Sequence, residues 1–208
     1  MNSIIKLFMI STLILNGCEN EETNKPNILT SDIPPLKVFS CDNDSLPISM
    51  GAKNALIEAG MSQCMMPFGV LLSADQNMPK SYLEMAGKIL AEMLDQDLDG
   101  IMDDSTLFEY VSNWQTGWLA MPTNHNQWET QQLPILENEL GYDIIIPSWW
   151  MGPTTLEPNT HSIAVMVEEI THFLTQFGYS SRYPQKFGVE NWTSTIAQEV
   201  NRSQCIWW

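Results

Sequence analysis

The sequence predicts an α+β fold, a single mostly helical domain that also contains a small sheet. Several segments carry apolar residues at helical spacing, whereas only residues 68–73 and 142–147 have the length and composition of buried strands. These segments are neither grouped apart nor regularly alternating along the chain, which indicates an α+β arrangement. Residues 36–208 have a uniform composition and a length that suits one domain with its own core.

Five segments are predicted to be helices. The first begins at a capping box formed by Ser81 and Glu84 and runs directly into an acidic loop at residue 95. Another extends from about residue 162 to residue 177, and Gly178 is expected to end it. The remaining helices are expected near residues 105–114, 126–140 and 190–203.

The first 35 residues are predicted to lie outside the domain. Residues 1–17 contain Lys6 and then an apolar run too short to cross a bilayer, a pattern typical of a secretory signal peptide. The end of this segment, Leu15 to Cys18, resembles the bacterial lipobox, whose cysteine receives a lipid. By that resemblance Cys18 anchors the protein to the outer or cytoplasmic membrane, and residues 18–35 form a flexible tether at the cell surface or in the periplasm. The alternative is a secreted protein in which Cys18 carries no lipid.

The mature chain is strongly acidic. Loss of residues 1–17 removes Lys6 alone and leaves 8 Lys and Arg against 25 Asp and Glu, a net charge of −17. Such a surface repels phosphate backbones, so nucleic acid is not an expected partner, and the identity of any protein or peptide partner stays open. The charge also attracts cations, although solubility outside the cell explains it equally well.

The cysteines predict one disulfide in an oxidising compartment. Cys41 and Cys64 would close a short loop and are the first choice for the pair. This pairing leaves Cys205 without a partner, and the chain stops soon afterwards at the apolar residue Trp208. Both observations favour a truncated sequence in which the partner of Cys205 belongs to a missing C-terminal part.

The acidic loop that begins at residue 95 is the more specific of two metal motifs. Its carboxylates recur at every second position and precede Gly100, so they form a cage of oxygen atoms suited to a hard cation. The loop resembles the first nine positions of a calcium-binding EF-hand loop, but its twelfth position is Thr106 instead of glutamate. Structural calcium is expected here, with a solvated acidic turn as the alternative. The expected ligands are Asp95, Asp97, Asp99, the carbonyl group of Ile101, and Asp103 or Asp104 as the closing carboxylate.

The helix near residues 162–177 carries the second motif. Glu168 and His172 are neighbours on its surface, because positions i and i+4 meet there, and Glu169 lies beside them. A solvated helix face shows the same spacing. The motif resembles the His-Glu-x-x-His sequence of zincin metallohydrolases, with glutamate as its first residue. By that resemblance Glu168 and His172 are zinc ligands, Glu169 is the general base, and Glu199 is the third ligand, as in the gluzincin branch.

The wider pattern combines the acidic loop, the Glu-Glu-x-x-His helix and a Tyr-Pro-x-x-Phe-Gly segment at residues 183–188. It resembles a family of secreted proteins with a calcium loop, a likeness that bears on domain identity and not on function. Together the motifs predict a cell-surface, calcium-stabilised domain with a zincin-like site that acts as a metallopeptidase or another metallohydrolase. The rival hypothesis is a non-enzymatic surface or binding module whose Glu-Glu-x-x-His helix is structural.

Overall fold

The computed structural model describes residues 36–152, 155–188 and 193–205. Within them one five-stranded sheet has the order β1-β2-β3-β4-β5. The strands are β1 (Phe39–Ser40), β2 (Gln63–Met65), β3 (Leu72–Ala74), β4 (Gly117–Met121) and β5 (Tyr142–Ile145). The first three strands are antiparallel neighbours, whereas β4 pairs in parallel with both β3 and β5.

Helices make up most of the described chain, so the predicted fold class, α+β and mostly helical with a small sheet, is confirmed. Two short 3-10 segments, Pro67–Gly69 and Ser105–Leu107, and two π-helical segments, Trp128–Gln132 and Leu174–Tyr179, connect or extend the α-helices. The α-helices are α1 (Met50–Glu58), α2 (Lys80–Leu94), α3 (Phe108–Val111), α4 (His125–Gln127), α5 (Leu133–Leu136), α6 (Ser148–Met151), α7 (Thr160–Phe173), α8 (Ser180–Arg182), α9 (Pro184–Phe187) and α10 (Thr195–Cys205).

The sheet is covered by helices on both faces. Successive side chains of a strand point to opposite faces, and Leu119 of β4 packs in a core with α2 and α7, whereas Trp118 packs in a second core with α1 and α5. All five residues of β4 are buried, as expected for a central strand covered on both sides. The sheet therefore divides the interior into two hydrophobic layers.

The predicted disulfide is confirmed. Cys41 follows β1 directly, Cys64 lies in the neighbouring strand β2, and the two sulfur atoms are bonded. Both residues are fully buried, so the bond joins the edge of the sheet to the core that contains α1. Residues 1–35, which include the predicted signal peptide, Cys18 and the tether, lie outside the described residues. No helix in the described part of the chain has the length and apolar character needed to cross a membrane.

Only one of the two predicted strands has its expected form. The segment at 142–147 is a strand up to Ile145, but the segment at 68–73 begins as a 3-10 turn and becomes a strand only at Leu72. Phe68 has φ +47° and Gly69 has φ +79°, both left-handed values that a pleated strand does not accommodate. The apolar character of residues 68–73 reflects burial in the core, not strand geometry.

Two predicted helix boundaries are wrong. α2 begins at Lys80, after Pro79, whose side chain has no atom that could cap the helix, and the Ser81 hydroxyl donates to the carbonyl group of Leu156. The helix that carries Glu168 does not end at Gly178 but continues through a π-helical segment and α8. A Cβ atom at Gly178 would lie 2.9 Å from Cγ1 of Val111, so this glycine permits close packing against α3.

Candidate metal centre

The acidic loop leaves the end of α2 as a tight turn closed by its own carboxylates. The two side-chain oxygen atoms of Asp95 accept hydrogen bonds from the backbone N–H groups of Asp99 (3.1 Å) and Gly100 (2.8 Å). Asp97 also accepts from the N–H of Asp99, at 3.3 Å, and the Asp99 carboxylate accepts from the N–H of Ile101, at 2.8 Å. These bonds wrap the backbone around three carboxylate groups.

Two residues of the loop adopt left-handed backbone conformations. Gly100 has φ +82°, in agreement with the sharp turn expected at this position, and glycine adopts this conformation at no steric cost. Leu98 has φ +58°, which costs a residue with a Cβ atom roughly 1–2 kcal/mol. Its side chain is 67% exposed, so burial does not offset this cost.

The turn brings three of the predicted ligands together. One oxygen atom each from Asp95, Asp97 and Asp99 lies within 4.8 Å of the others, and within the described residues this is the sole acidic, histidine or cysteine group so arranged. Asp95 is only 5% exposed, whereas the other two carboxylates face solvent. This group could bind a metal ion.

The two candidates for the closing carboxylate have different surroundings. Asp103 lies at the base of the loop, where its carboxylate accepts a hydrogen bond from the N–H of Gln96 (2.9 Å). Asp104 is engaged elsewhere, because one of its oxygen atoms accepts from the hydroxyl group of Thr106 and the other from that of Tyr183, each at 2.6 Å. Neither carboxylate belongs to the group formed by Asp95, Asp97 and Asp99, so the structure does not assign the closing carboxylate.

The contacts of Asp104 lower the pKa of its carboxyl group. Burial alone would raise this pKa, but the hydrogen bonds from Thr106 and Tyr183, together with the positive charge of Arg182, outweigh that effect. Arg182 also donates from Nε to the hydroxyl oxygen of Thr106 (2.9 Å) and lies over the ring of Tyr183. The chain after the acidic loop is thus fastened to the end of α8 by charge-assisted hydrogen bonds.

These contacts of Tyr183 were not predicted from the sequence. Tyr183 and Asp104 are distant in the chain, so no local sequence pattern predicts the hydrogen bond between them. The sequence feature nearest to these contacts is the Tyr-Pro-x-x-Phe-Gly segment that begins at Tyr183. Its pattern alone does not indicate a role for the tyrosine.

The three motif residues of α7, the Glu-Glu-x-x-His helix, differ in their exposure to solvent. Glu168 and His172 are exposed, whereas the side chain of Glu169 is only 13% exposed. Nδ1 of His172 lies 3.4 Å from a carboxylate oxygen of Glu169. The imidazole is therefore next to the predicted general base as well as one turn from the predicted ligand Glu168.

The third predicted zinc ligand does not join this pair. Glu199 is exposed on α10 and forms an ion pair with Arg202, with 2.7 Å between the two charged groups. The resemblance to gluzincins predicted Glu199 as a ligand, but α10 packs on α9 and Glu199 is exposed. Within the described residues, Glu168, His172 and Glu199 do not form a group whose ligand atoms lie close enough to share an ion.

Glu169 has the most unusual electrostatic environment on this helix. Burial raises the pKa of its carboxyl group, the nearby His172 opposes this effect, and the charge of Glu168 adds to it, so the pKa is raised overall. A raised pKa suits a general acid or base, and it also occurs in half-buried structural glutamates.

No family model, curated protein or solved structure matches this chain.

The raised pKa makes a prediction for Glu169→Gln. A carboxyl group with a higher pKa in the folded chain stabilises the fold while protonated, and this contribution is lost as pH rises through the folded-state pKa. The glutamine cannot ionise, so the variant should be more stable than the wild type near neutral pH, within the roughly 0.5 kcal/mol typical of partly exposed positions. Below about pH 4.3, the pKa of an unperturbed glutamate, this advantage should disappear.

Thermal unfolding of Glu169→Gln at neutral and acidic pH measures this difference. Glu168→Gln is the matched control, because it removes the same charge from the exposed neighbour and keeps the carboxyl group of Glu169. Equal destabilisation of Glu169→Gln at both pH values would mean that the contact with His172 outweighs burial.

Proposed function

We propose that this protein is a calcium-stabilised domain that works outside the cell, with Ca²⁺ bound in the acidic loop between α2 and α3. The convergence of the Asp95, Asp97 and Asp99 carboxylates within 4.8 Å carries this proposal. Three negative charges at such distances repel one another, and a divalent cation between them converts the repulsion into attraction. The same ion would stabilise the strained turn at Leu98.

The chemistry of the ligands favours calcium over a transition metal. Each available donor is a hard oxygen atom, from the three carboxylates, from Asp103 and from the carbonyl group of Ile101, whereas transition metals prefer nitrogen or sulfur ligands. Ca²⁺ takes six to eight oxygen ligands in flexible geometry, and Mg²⁺ demands near-octahedral order. A loop of five protein donors completed by water fits the first description.

The position of the loop favours a structural role over signalling. The loop follows α2, which packs on α7 and on the sheet, and Asp95 itself is buried. An ion at this point fixes the end of a core helix. Calcium outside cells is abundant enough to fill even a weak site, so the ion is expected to be a permanent part of the fold.

The proposed location rests on two features. The disulfide between Cys41 and Cys64 is of the kind that persists in oxidising compartments, and the likeness of residues 15–18 to a lipobox supports a lipid on Cys18. Residues 18–35 would then tether the calcium-stabilised domain to the membrane.

A zinc-dependent hydrolase is the second candidate. Its support is the raised pKa of Glu169 next to His172, which suits a general base beside a metal ligand. It ranks below the calcium proposal because, among the described residues, Glu168, His172 and Glu199 do not bring their ligand atoms close enough to share an ion. The third alternative, a binding module without catalysis, requires only the calcium loop.

Calcium titration and thermal unfolding test the main proposal. We expect one Ca²⁺ per chain, and stabilisation by about 2.7 kcal/mol at a concentration one hundred times the dissociation constant. For a domain of this size that corresponds to a rise of roughly 5–10 °C in melting temperature. An identical melting temperature in chelator and in millimolar calcium would rule out the structural ion.

The metal content of the same preparation tests the second candidate. Zinc retained after dialysis by the wild type and lost in His172→Ala would establish a zinc site on α7, because imidazole is the softest ligand proposed there. The absence of zinc from the wild type would remove the hydrolase and leave the calcium-stabilised module.

A further inference from the structure

We propose that the chain before the domain folds back onto it: the side chain of Ile33 fills an apolar groove between α2 and the acidic loop. Residues 1–35 lie outside the described residues, and the sequence assigns 18–35 to a tether. The last part of that tether then has a fixed place on the surface of the domain, whether or not the acidic loop binds a metal ion.

The groove has a volume of about 240 Å³ and mainly apolar walls. Phe68, Ala91 and Leu98 supply apolar surface, and Lys88 is a charged residue of the lining. An apolar cavity of about 150 Å³ is already large enough to bind benzene, so the groove has room for one large aliphatic side chain. Water in such a groove finds few hydrogen-bond partners, and an apolar side chain replaces it favourably.

Leu98 is an unfavourable residue for the surface position that it occupies. Its φ of +58° is left-handed, a conformation that glycine or asparagine adopts more readily, and the leucine is 67% exposed. Leu36, in the lining of the same groove, is 51% exposed. An isoleucine side chain seated against these leucines removes their apolar surface from water, and that burial offsets the backbone cost at Leu98.

The chain enters the described structure at this groove. Leu36 is the first described residue and belongs to the lining of the groove, so residues 32–35 start from the groove itself. The prolines at 34–35 have a locked φ, and a residue before proline favours the extended region, which restricts Ile33 as well. The segment therefore loses little conformational freedom when it docks.

The length of the segment matches the length of the groove. At about 3.1 Å per residue in a polyproline conformation, Ile33 lies about 9 Å from Leu36. The groove follows α2 from Lys88 to Asp95, a distance of about 10 Å at about 1.5 Å per residue. A segment that follows α2 keeps Ile33 within the groove.

A second copy of the chain is a poorer occupant. The chain carries 9 Lys and Arg against 25 Asp and Glu, and surfaces of like charge repel each other. Ile33 is attached only three residues from the groove, so its effective concentration there is about millimolar. Asp32 adds a charge opposite to that of Lys88, whose exposed pair with Glu92 leaves the ammonium group accessible.

Ile33→Ser tests the docked position by thermal unfolding of the whole chain. The measurements are made in chelator, so that no ion in the acidic loop contributes to them. We expect the melting temperature to fall by roughly 3–6 °C, because one aliphatic side chain loses its buried surface. Ile28→Ser is the matched control: it is the same substitution five residues earlier in the tether, and it should leave the melting temperature unaltered. An equal fall in the two variants, or no fall in either, would overturn the assignment of Ile33.

Leu98→Asn tests the other side of the contact. Asparagine adopts the left-handed conformation more readily than leucine, so at a position without a contact the substitution should raise the melting temperature. A docked Ile33 predicts a clear rise in the Ile33→Ser background and a smaller rise, or a fall, in the wild type. The same rise in both backgrounds would show that the two residues do not interact, and the docked position would be wrong.

Methyl NMR provides a direct readout. The methyl groups of Ile33 should show nuclear Overhauser contacts with Leu98 and with the ring of Phe68 in a dilute sample of the wild type. The absence of these contacts would overturn the docked position. Contacts that appear only as the protein concentration rises, together with a dimer in sedimentation, would assign the groove to a second copy and overturn it as well.

Discussion

Asp95→Asn is expected to lower calcium affinity by about 100-fold or more, because affinity in such loops depends on the number of charged ligands. Asp95 is the one buried carboxylate of the three, and both of its oxygen atoms accept backbone N–H groups. Asparagine keeps one acceptor and replaces the other with an NH₂ group, so one of the two hydrogen bonds that close the turn is lost. That loss costs roughly 0.5–1.5 kcal/mol even when no ion is present.

Calcium titration gives the affinity of this variant, and unfolding in chelator gives the separate effect on the ion-free fold. Asp42→Asn is a suitable control, because Asp42 is exposed and lies outside the loop. The variant at Asp95 should lose most of the melting-temperature rise that calcium produces, and the control should keep it. Wild-type calcium affinity in Asp95→Asn would place the ion elsewhere and remove the loop from the proposal.

Removal of the disulfide is the second change with a large expected effect. The double variant Cys41→Ala with Cys64→Ala should be less stable by about 3 kcal/mol, because the unfolded chain regains the freedom of the loop between two residues separated by 23 positions. Both residues are fully buried, so alanine introduces no polar group into the core. Denaturant unfolding of the oxidised wild type and the double variant measures the difference.

A reducing agent provides the internal control. It should lower the melting temperature of the wild type toward that of the double variant, by roughly 6–12 °C for a domain of this size, and should leave the double variant unchanged. Equal sensitivity of both proteins to the reductant would mean that another disulfide, such as one that involves Cys205, accounts for the effect.

Features governed by local chemistry were predictable from the sequence. The strand at Tyr142, the disulfide between Cys41 and Cys64, and the turn at Gly100 each follow from a few adjacent residues or from a simple pairing rule. The acidic loop belongs to the same group, because alternating aspartates before a glycine bring carboxylates together whatever surrounds them.

Features governed by tertiary contacts were not predictable. Phe68 lies in an apolar run that suits a strand, yet packing against the core holds it at a left-handed φ. Gly178 resembles a helix stop and is instead a point of close approach to α3. Glu199 lies at a suitable interval after His172, but only the packing of α10 decides which way it points. Tyr183 reaches Asp104 only because α7 continues past its expected end.

The parallel pairing of β3 with β4 also affects how the domain forms. Leu72 pairs with Leu119, so the two central strands meet only after the long connection between them has been closed. Pairing between residues this distant in sequence slows folding, because the entropy of the connection is lost before any contact compensates for it. The acidic loop lies within this connection, and its mutually repelling aspartates oppose closure. An ion that neutralises them should therefore speed assembly of the sheet.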